Sequence, residues 1–247
     1  RSHRASVIAS DINDLQRKLE RTGAKLEKPG TRRIRDLEGI YFHREPLGGT
    51  GKVAFLFPGE GAQYRNMFAG LCLNFPEARE WFDRMDRAFQ GHSRGYLLSP
   101  AVFPPPLGQP DERLWTMDLG AEAAFCANQA MYAVLSSCAV QPAAMIGHST
   151  GEHSALLASG IVRPEGEEGL LRYIRGVNQV FETLKDSGAI PNGILMAVAG
   201  IEQKRIAEMV ERAGDGLFIA LDNCPHQVVL FGTGEQIARV RAELSST

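Results

Sequence analysis

The sequence has 247 residues, 44% of them hydrophobic and 23% charged, with a formal net charge of −2 and a pI near 6.4. A chain of this length can bury a sizeable core, while its charge balance gives no basis for a nucleic-acid or anionic-membrane surface, and its apolar stretches fall far short of the roughly 20 residues that span a bilayer. Cys72, Cys126, Cys138 and Cys224 are scattered, with no CxxC pair and no His at ligand spacing, so neither a disulfide framework nor a metal site is implied and a cytoplasmic location is expected.

The segment Arg1 to Ser6 has no apolar h-region or cleavage signature of a secretion signal. The first residue is not Met, and the chain reads as excised from a longer one. Residues 1–51 differ in texture from the rest. A Ser10/Asp11 start precedes Ile12, Leu15 and Leu19 at helical spacing, followed by Pro29-Gly30, a basic run Arg32-Arg33-Ile34-Arg35 and a Gly48-Gly49-Thr50-Gly51 hinge. This predicts a small charged module or linker. With Asp36, Glu38 and Glu45 nearby, the basic run reads as a solvated face.

Val53 to Phe57 is an unbroken apolar run, the pattern of a strand buried on both faces. It is broken by Pro58-Gly59-Glu60-Gly61. Residues 66–90 predict helix interrupted at Phe75-Pro76, and the proline-rich stretch from Pro100 to Pro110 predicts a loop. An apolar helix is expected over 119–138, a strand over 143–146, and helices over 150–159 and 165–186. Strand–turn–helix repetition argues for an α/β fold with a parallel sheet. After Gly193 the pattern predicts strand 194–199, helix 202–212, strands 217–221 and 227–231, and helix 234–244. That order, βαββα, is a ferredoxin-like unit without its last strand, and an unpaired edge there suggests that the natural polypeptide continues.

Two segments carry chemistry. Gly147-His148-Ser149-Thr150-Gly151 is a G-x-S-x-G between a predicted strand and a predicted helix. In such an elbow the glycines allow a sharp turn that lifts the serine hydroxyl out of the backbone, above the free N–H groups of a helix start. The plainer reading is a helix N-cap serine, which needs neither glycine. Phe57-Pro58-Gly59-Glu60-Gly61-Ala62-Gln63 is a glycine-flanked loop that can offer backbone donors or be a simple turn; it lacks the Lys-Ser/Thr of a P-loop.

Phe57 to Gln63 resembles the FPGQGSQ opening of malonyl-CoA:acyl-carrier-protein acyltransferases, and Gly147 to Glu152 matches their GHSxGE motif, continued by Ser154-Ala155-Leu156. Asn223-Cys224-Pro225-His226-Gln227-Val228 is similar to the N-x-P-x-Q-V segment of their small lobe. These motifs occur in the family's order. Residues 1–51 resemble the connector between ketosynthase and acyltransferase in type I polyketide and fatty-acid synthases. Glu60 in place of the usual Gln, together with Ser149-Thr150 and Asn223 to His226, looks most like the iterative synthases of enediynes and polyunsaturated fatty acids.

The resemblance implies an α/β-hydrolase-like lobe over residues 52–192 and a ferredoxin-like lobe, truncated at its C-terminus, over 193–247. It makes Ser149 the acyl-carrying nucleophile, with the backbone N–H groups of Glu60 and Thr150 as the oxyanion hole. Gln63 would order its loop, and His148 and Asn223 would join it around the substrate. Arg175 matches the arginine that receives the free carboxylate of malonyl groups, a task suited to a guanidinium fork; Arg172 one turn earlier is its decoy, and a surface arginine is the plain alternative. The family's general-base histidine would follow the small lobe, beyond Thr247. His153 does not occupy its place, and His226 is a weak substitute.

The implied reaction is transfer of malonyl from malonyl-CoA, through a Ser149 ester, to the phosphopantetheine thiol of an acyl carrier protein, beside an adjacent ketosynthase. It uses no metal or redox cofactor. Two alternatives stay open: a serine thioesterase or esterase sharing the elbow, and an inactive structural fragment without its base.

Overall fold

The computed structural model describes residues 3–45, 51–106, 108–188 and 191–245. The Gly48 to Thr50 part of the predicted hinge lies outside them. The chain divides into two compact units, Arg1–Arg175 and Gly176–Thr247. The division falls inside a helix, whereas the sequence reading divides the lobes at 192/193.

Residues 3–45 form a three-stranded antiparallel sheet, β1 (Arg4–Val7), β2 (Arg33–Asp36) and β3 (Ile40–His43), ordered β1-β3-β2, with helix α1 (Ile12–Leu26) between β1 and β2 along the chain. Asp11 caps α1 as expected, accepting the Asp14 N–H at 2.9 Å. The face it buries is not the predicted apolar one. Ile12 and Leu19 are exposed, while Lys18 and Thr22 are buried. The reason is polar: Lys18 donates to the Ile8 carbonyl at 2.8 Å and pairs with Asp14 at 2.7 Å, and Lys25 and Arg21 both reach Asp36, at 2.6 and 2.8 Å. A small cluster of Ile34, Ile40 and Phe42 completes the module. The basic run becomes β2, with Arg33 and Arg35 exposed on either side of buried Ile34.

The largest core of the first unit is helical. It is built around α3 (Pro76–Phe89) and α5 (Met117–Ser137), with Phe82, Met85, Leu98, Leu114, Leu119 and Cys126 fully or almost fully buried. Helix α2 (Ala69–Asn74) precedes α3, and the break at Phe75-Pro76 falls where predicted because Pro76 opens α3, a position that needs no N–H donor. The stretch from Pro100 is only partly a loop. Leu98–Val102 forms a short helix, α4. Pro100 fits in its first turn, where no internal hydrogen bond is lost, and the Leu98 and Ser99 amides are both received by Asp86 Oδ1 of α3 at 3.1 Å.

Strands β4 (Ala54–Phe57) and β5 (Ala144–Gly147) pair in parallel, Phe57 opposite Gly147. The expectation of burial on both faces fails. Alternation turns Phe55 and Phe57 toward Tyr132 of α5 at 6.1 and 6.4 Å between ring centroids, and turns Leu56 and Ile146 to the other side, where they are 72% and 58% exposed. Helices α6 (Gly151–Ala158) and α7 (Gly166–Asp186) follow, and α7 contains the division between units.

The second unit has β6 (Ile194–Ala199), α8 (Gln203–Ala213), β7 (Phe218–Cys224), β8 (Gln227–Gly232) and α9 (Gly234–Ser245). Its antiparallel sheet is ordered β6-β8-β7, a βαβ split by an inserted strand, as the ferredoxin-like reading requires. Val198, Ile206, Met209, Leu217, Val228, Leu230, Ile237 and Val240 form its own core.

Candidate active site

Between the end of β5 and the start of α6 the backbone turns so sharply that there is no room for side chains at the flanking glycines. A Cβ on Gly147 would lie 2.4 Å from Glu152 Cα, and one on Gly151 would lie 2.1 Å from the Phe57 carbonyl oxygen. The turn is closed by His148 N–H to Phe57 O at 3.0 Å, Gly151 N–H to His148 O at 2.9 Å and Glu152 N–H to Ser149 O at 2.9 Å. Ser149 itself has φ of +54°, a left-handed conformation that costs a non-glycine residue free energy and is found where surrounding structure forces it. The serine is exposed, at the positive end of α6. This is elbow geometry, not that of an N-cap serine, which takes an extended backbone.

The loop after β4 lies directly against this turn. A Cβ on Gly59 would meet His148 O at 2.6 Å, Ser149 Cβ at 3.0 Å and Thr150 N at 3.2 Å. Glu60 therefore follows a glycine pressed against the serine, and its N–H donates to Thr150 Oγ1 at 3.0 Å. Gln63 is buried and closes its own loop, accepting the Gly61 N–H at 2.7 Å and donating to Leu114 O at 3.3 Å. Glu60 as a residue is exposed, but partial burial of its carboxyl, and secondarily the nearby Asp118 carboxylate, push its pKa above the ordinary range.

Two residues that the sequence reading passed over brace this arrangement from α5. Asn128 donates to Pro58 O at 2.9 Å and Ser154 Oγ at 3.1 Å, and Gln129 donates to Ser154 O at 2.9 Å. They tie the β4 loop and α6 to one helix. Their signal was legible: a polar pair inside an otherwise apolar helix must find buried partners.

The other candidates have the following surroundings. Arg175 pairs with Glu168 of its own helix at 3.1 Å and reaches the Ala88 carbonyl at 3.5 Å, the limit of a hydrogen bond; neither partner belongs to the elbow. Arg172 is exposed. His148 lies within the elbow and is exposed, and His153 is engaged through Nδ1 with the Tyr173 hydroxyl at 3.1 Å. Asn223 belongs to the second unit. It sits where the β7–β8 register shifts, between Asp222 and Cys224, with its side chain 3.4 Å from Gln227 Oε1. His226 is in the turn that follows, its carbonyl accepting the Gly200 N–H at 2.9 Å.

Among the described residues no group of three or more His, Cys, Asp or Glu side chains could hold a metal ion, and no helix is long and apolar enough to cross a membrane.

Comparison with known proteins places this geometry. A family model described as an acyl transferase domain matches residues 54–247. The polyketide biosynthesis protein ThaF of Burkholderia thailandensis is 33% identical over 195 residues, which are 78% of this chain and 15% of that protein. The malonyl CoA-acyl carrier protein transacylase of Bacillus subtilis is 28% identical over 190 residues, 75% of this chain and 55% of the relative. The acyltransferase domain from the second module of the salinomycin polyketide synthase superposes with a TM-score of 0.69 at 23% identity, over 99% of this chain and 51% of that one, a likeness of fold. The chain thus spans from about a seventh to just over half the length of these proteins.

Proposed function

The chain belongs to the acyl transferase domain family, and on that premise we propose that it carries a malonyl group as an ester on Ser149, taking it from malonyl-CoA and passing it to the phosphopantetheine thiol of an acyl carrier protein. The observation that carries the reading is Ser149 held at φ of +54° between two glycines, beside the Glu60 loop. Ser149 Oγ attacks the thioester carbonyl while its proton passes to a base, and the carbonyl oxygen becomes an oxyanion facing the Glu60 and Thr150 amides. Collapse of that intermediate breaks the C–S bond, and coenzyme A leaves as the thiol with the proton. The carrier thiol then attacks the ester, and Ser149 recovers its proton as the thioester forms.

The malonyl and carrier-protein assignments draw on what the Bacillus subtilis relative's name says of that protein, and the polyketide setting on the name of the Burkholderia relative. Arg175 is the residue we assign to the malonyl carboxylate. It would exchange its present partner Glu168 for the substrate. Residues 1–51 serve as the connector to a ketosynthase in this reading, and the iterative subfamily is part of it.

Intact mass of the purified protein after brief incubation with malonyl-CoA tests the proposal. The expected result is a gain of one malonyl group in the wild type and none in Ser149→Ala. No gain in the wild type, or an equal gain in the variant, would overturn it. A gain that decays to free malonate at the same rate with or without carrier protein would favour a thioesterase or esterase.

A further inference from the structure

The Glu60 amide already has a partner. It donates to the Thr150 hydroxyl at 3.0 Å, across 90 positions of sequence. Thr150 stands at the N-cap of α6, where a threonine side chain ordinarily accepts an amide of its own helix's first turn. It makes no such cap, and its backbone is helical, with φ of −60° and ψ of −17°, rather than extended. The hydroxyl is thereby free to reach the neighbouring loop. That loop needs fixing at this point, because Glu60 lies between Gly59 and Gly61, and Gly61 has φ of +97°. The peptide plane that carries the Glu60 N–H pivots about Gly59 on one side, and Gly61 leaves the chain beyond Glu60 free to follow its rotation. Packing crowds Gly59, on which an added Cβ would meet Ser149 Cβ at 3.0 Å and Thr150 N at 3.2 Å, but one on Gly61 would meet nothing within 4 Å.

We propose that the Thr150 side chain is a positioning group for the transfer: its hydroxyl occupies the Glu60 N–H in place of a substrate carbonyl oxygen and keeps that donor aimed at the elbow until the acyl oxygen displaces it. The inference rests on the acyltransferase reading. Exchange of one oxygen acceptor for another leaves the amide satisfied before and after, so the arriving oxyanion meets a donor that needs no reorientation. The same residue thus contributes to the oxyanion hole twice, once through its own N–H and once by holding the other donor in place.

Thr150→Val keeps the shape and removes the hydroxyl, and Thr150→Ser keeps the hydroxyl. Loss of one ordinary hydrogen bond corresponds to about a two- to tenfold change in an equilibrium. Acylation of Ser149 by malonyl-CoA, followed by rapid-quench mass measurement, is expected to slow by about that factor in Thr150→Val, mainly in the rate at saturating substrate, with Thr150→Ser near wild type. Amide hydrogen exchange at Glu60, read in the protein without substrate, is expected to quicken in Thr150→Val and to stay protected in Thr150→Ser. Acylation by Thr150→Val as fast as or faster than wild type would overturn the proposal, as would unaltered exchange at Glu60. The exchange measurement reads the amide directly, so it decides on the hydroxyl even if the wild type takes no malonyl group and the acyltransferase reading itself falls.

Discussion

Arg94 and Arg175 each pair with a glutamate, in surroundings that could hardly differ more. The Arg94 side chain is 3% exposed and Glu122 8%. Its fork meets both Glu122 oxygens, at 2.6 and 3.0 Å, its Nε donates to Tyr96 O at 3.0 Å, and it stacks 3.5 Å from the Phe89 ring centroid and 4.7 Å from that of Tyr96. Arg175 is 37% exposed and Glu168 69%, with one contact at 3.1 Å. The first arginine has almost no spare donor and no water to fall back on; the second can leave its partner at little cost. A guanidinium that must exchange a protein carboxylate for a substrate carboxylate has to be of the second kind.

Breaking the buried pair should have the largest effect. Arg94→Ala strands Glu122 in the interior and is expected to cost about 3–5 kcal/mol in urea unfolding, as for other uncompensated buried charges. Burial already pushes the Glu122 carboxyl up against the opposing pull of Arg94. Without that pull its folded-state pKa rises further above the unfolded one. The variant should therefore lose stability as pH rises from the ordinary carboxylate range through the folded value, since the folded state then binds the extra proton. A pH-independent loss would mean that Arg94 matters for packing alone.

Arg175→Ala sharpens the contrast from the other side. Its stability should stay within about 1 kcal/mol of wild type, as for exposed pairs, while malonyl labelling of Ser149 weakens by about 1.5–3 kcal/mol for each lost charge-assisted bond and acetyl labelling holds or rises. An unchanged preference for malonyl-CoA over acetyl-CoA would remove Arg175 from the site. Glu168→Gln carries the smallest expected effect, a gain of at most about fivefold in apparent malonyl-CoA affinity, the upper range for an exposed ion pair, with no change for acetyl-CoA. Equal shifts for both donors would show that Glu168 acts on something other than the carboxylate-reading fork.

Much of this was legible in the residues. The elbow declared itself because its glycines, its serine and its flanking strand and helix fall in one short run, although the collision that requires Gly151 comes from Phe57 on another strand. The βαββα order from Ile194 to Ser245 followed from periodicity and turn residues. What stayed hidden depends on partners far away in sequence. Lys18 and Thr22 are buried on α1 while Ile12 and Leu19 are exposed, Lys18 reaching the Ile8 carbonyl just beyond β1 as well as Asp14, and the Thr22 hydroxyl donating to the Lys18 carbonyl. Val53 to Phe57 reads as doubly buried, yet what lies across from Leu56 is a matter of neighbours, not of the run itself. Arg94 and Glu122 are 28 positions apart, and although a glutamate inside apolar α5 calls for a partner, nothing near it names Arg94. The link between Thr150 and Glu60 is of the same kind, invisible to a motif that specifies only five residues in a row.

Asp86 gives the largest core a property of its own. One carboxylate oxygen in the last turn of α3 receives the first two amides of α4, so the shorter helix has its start fixed by a side chain of the longer one. A five-residue helix has too few internal bonds to persist alone. Residues 98–102 should consequently form and melt together with α3 as one cooperative folding unit, and any change that loosens α3 at Asp86 will be felt first as the loss of a helix twelve positions downstream.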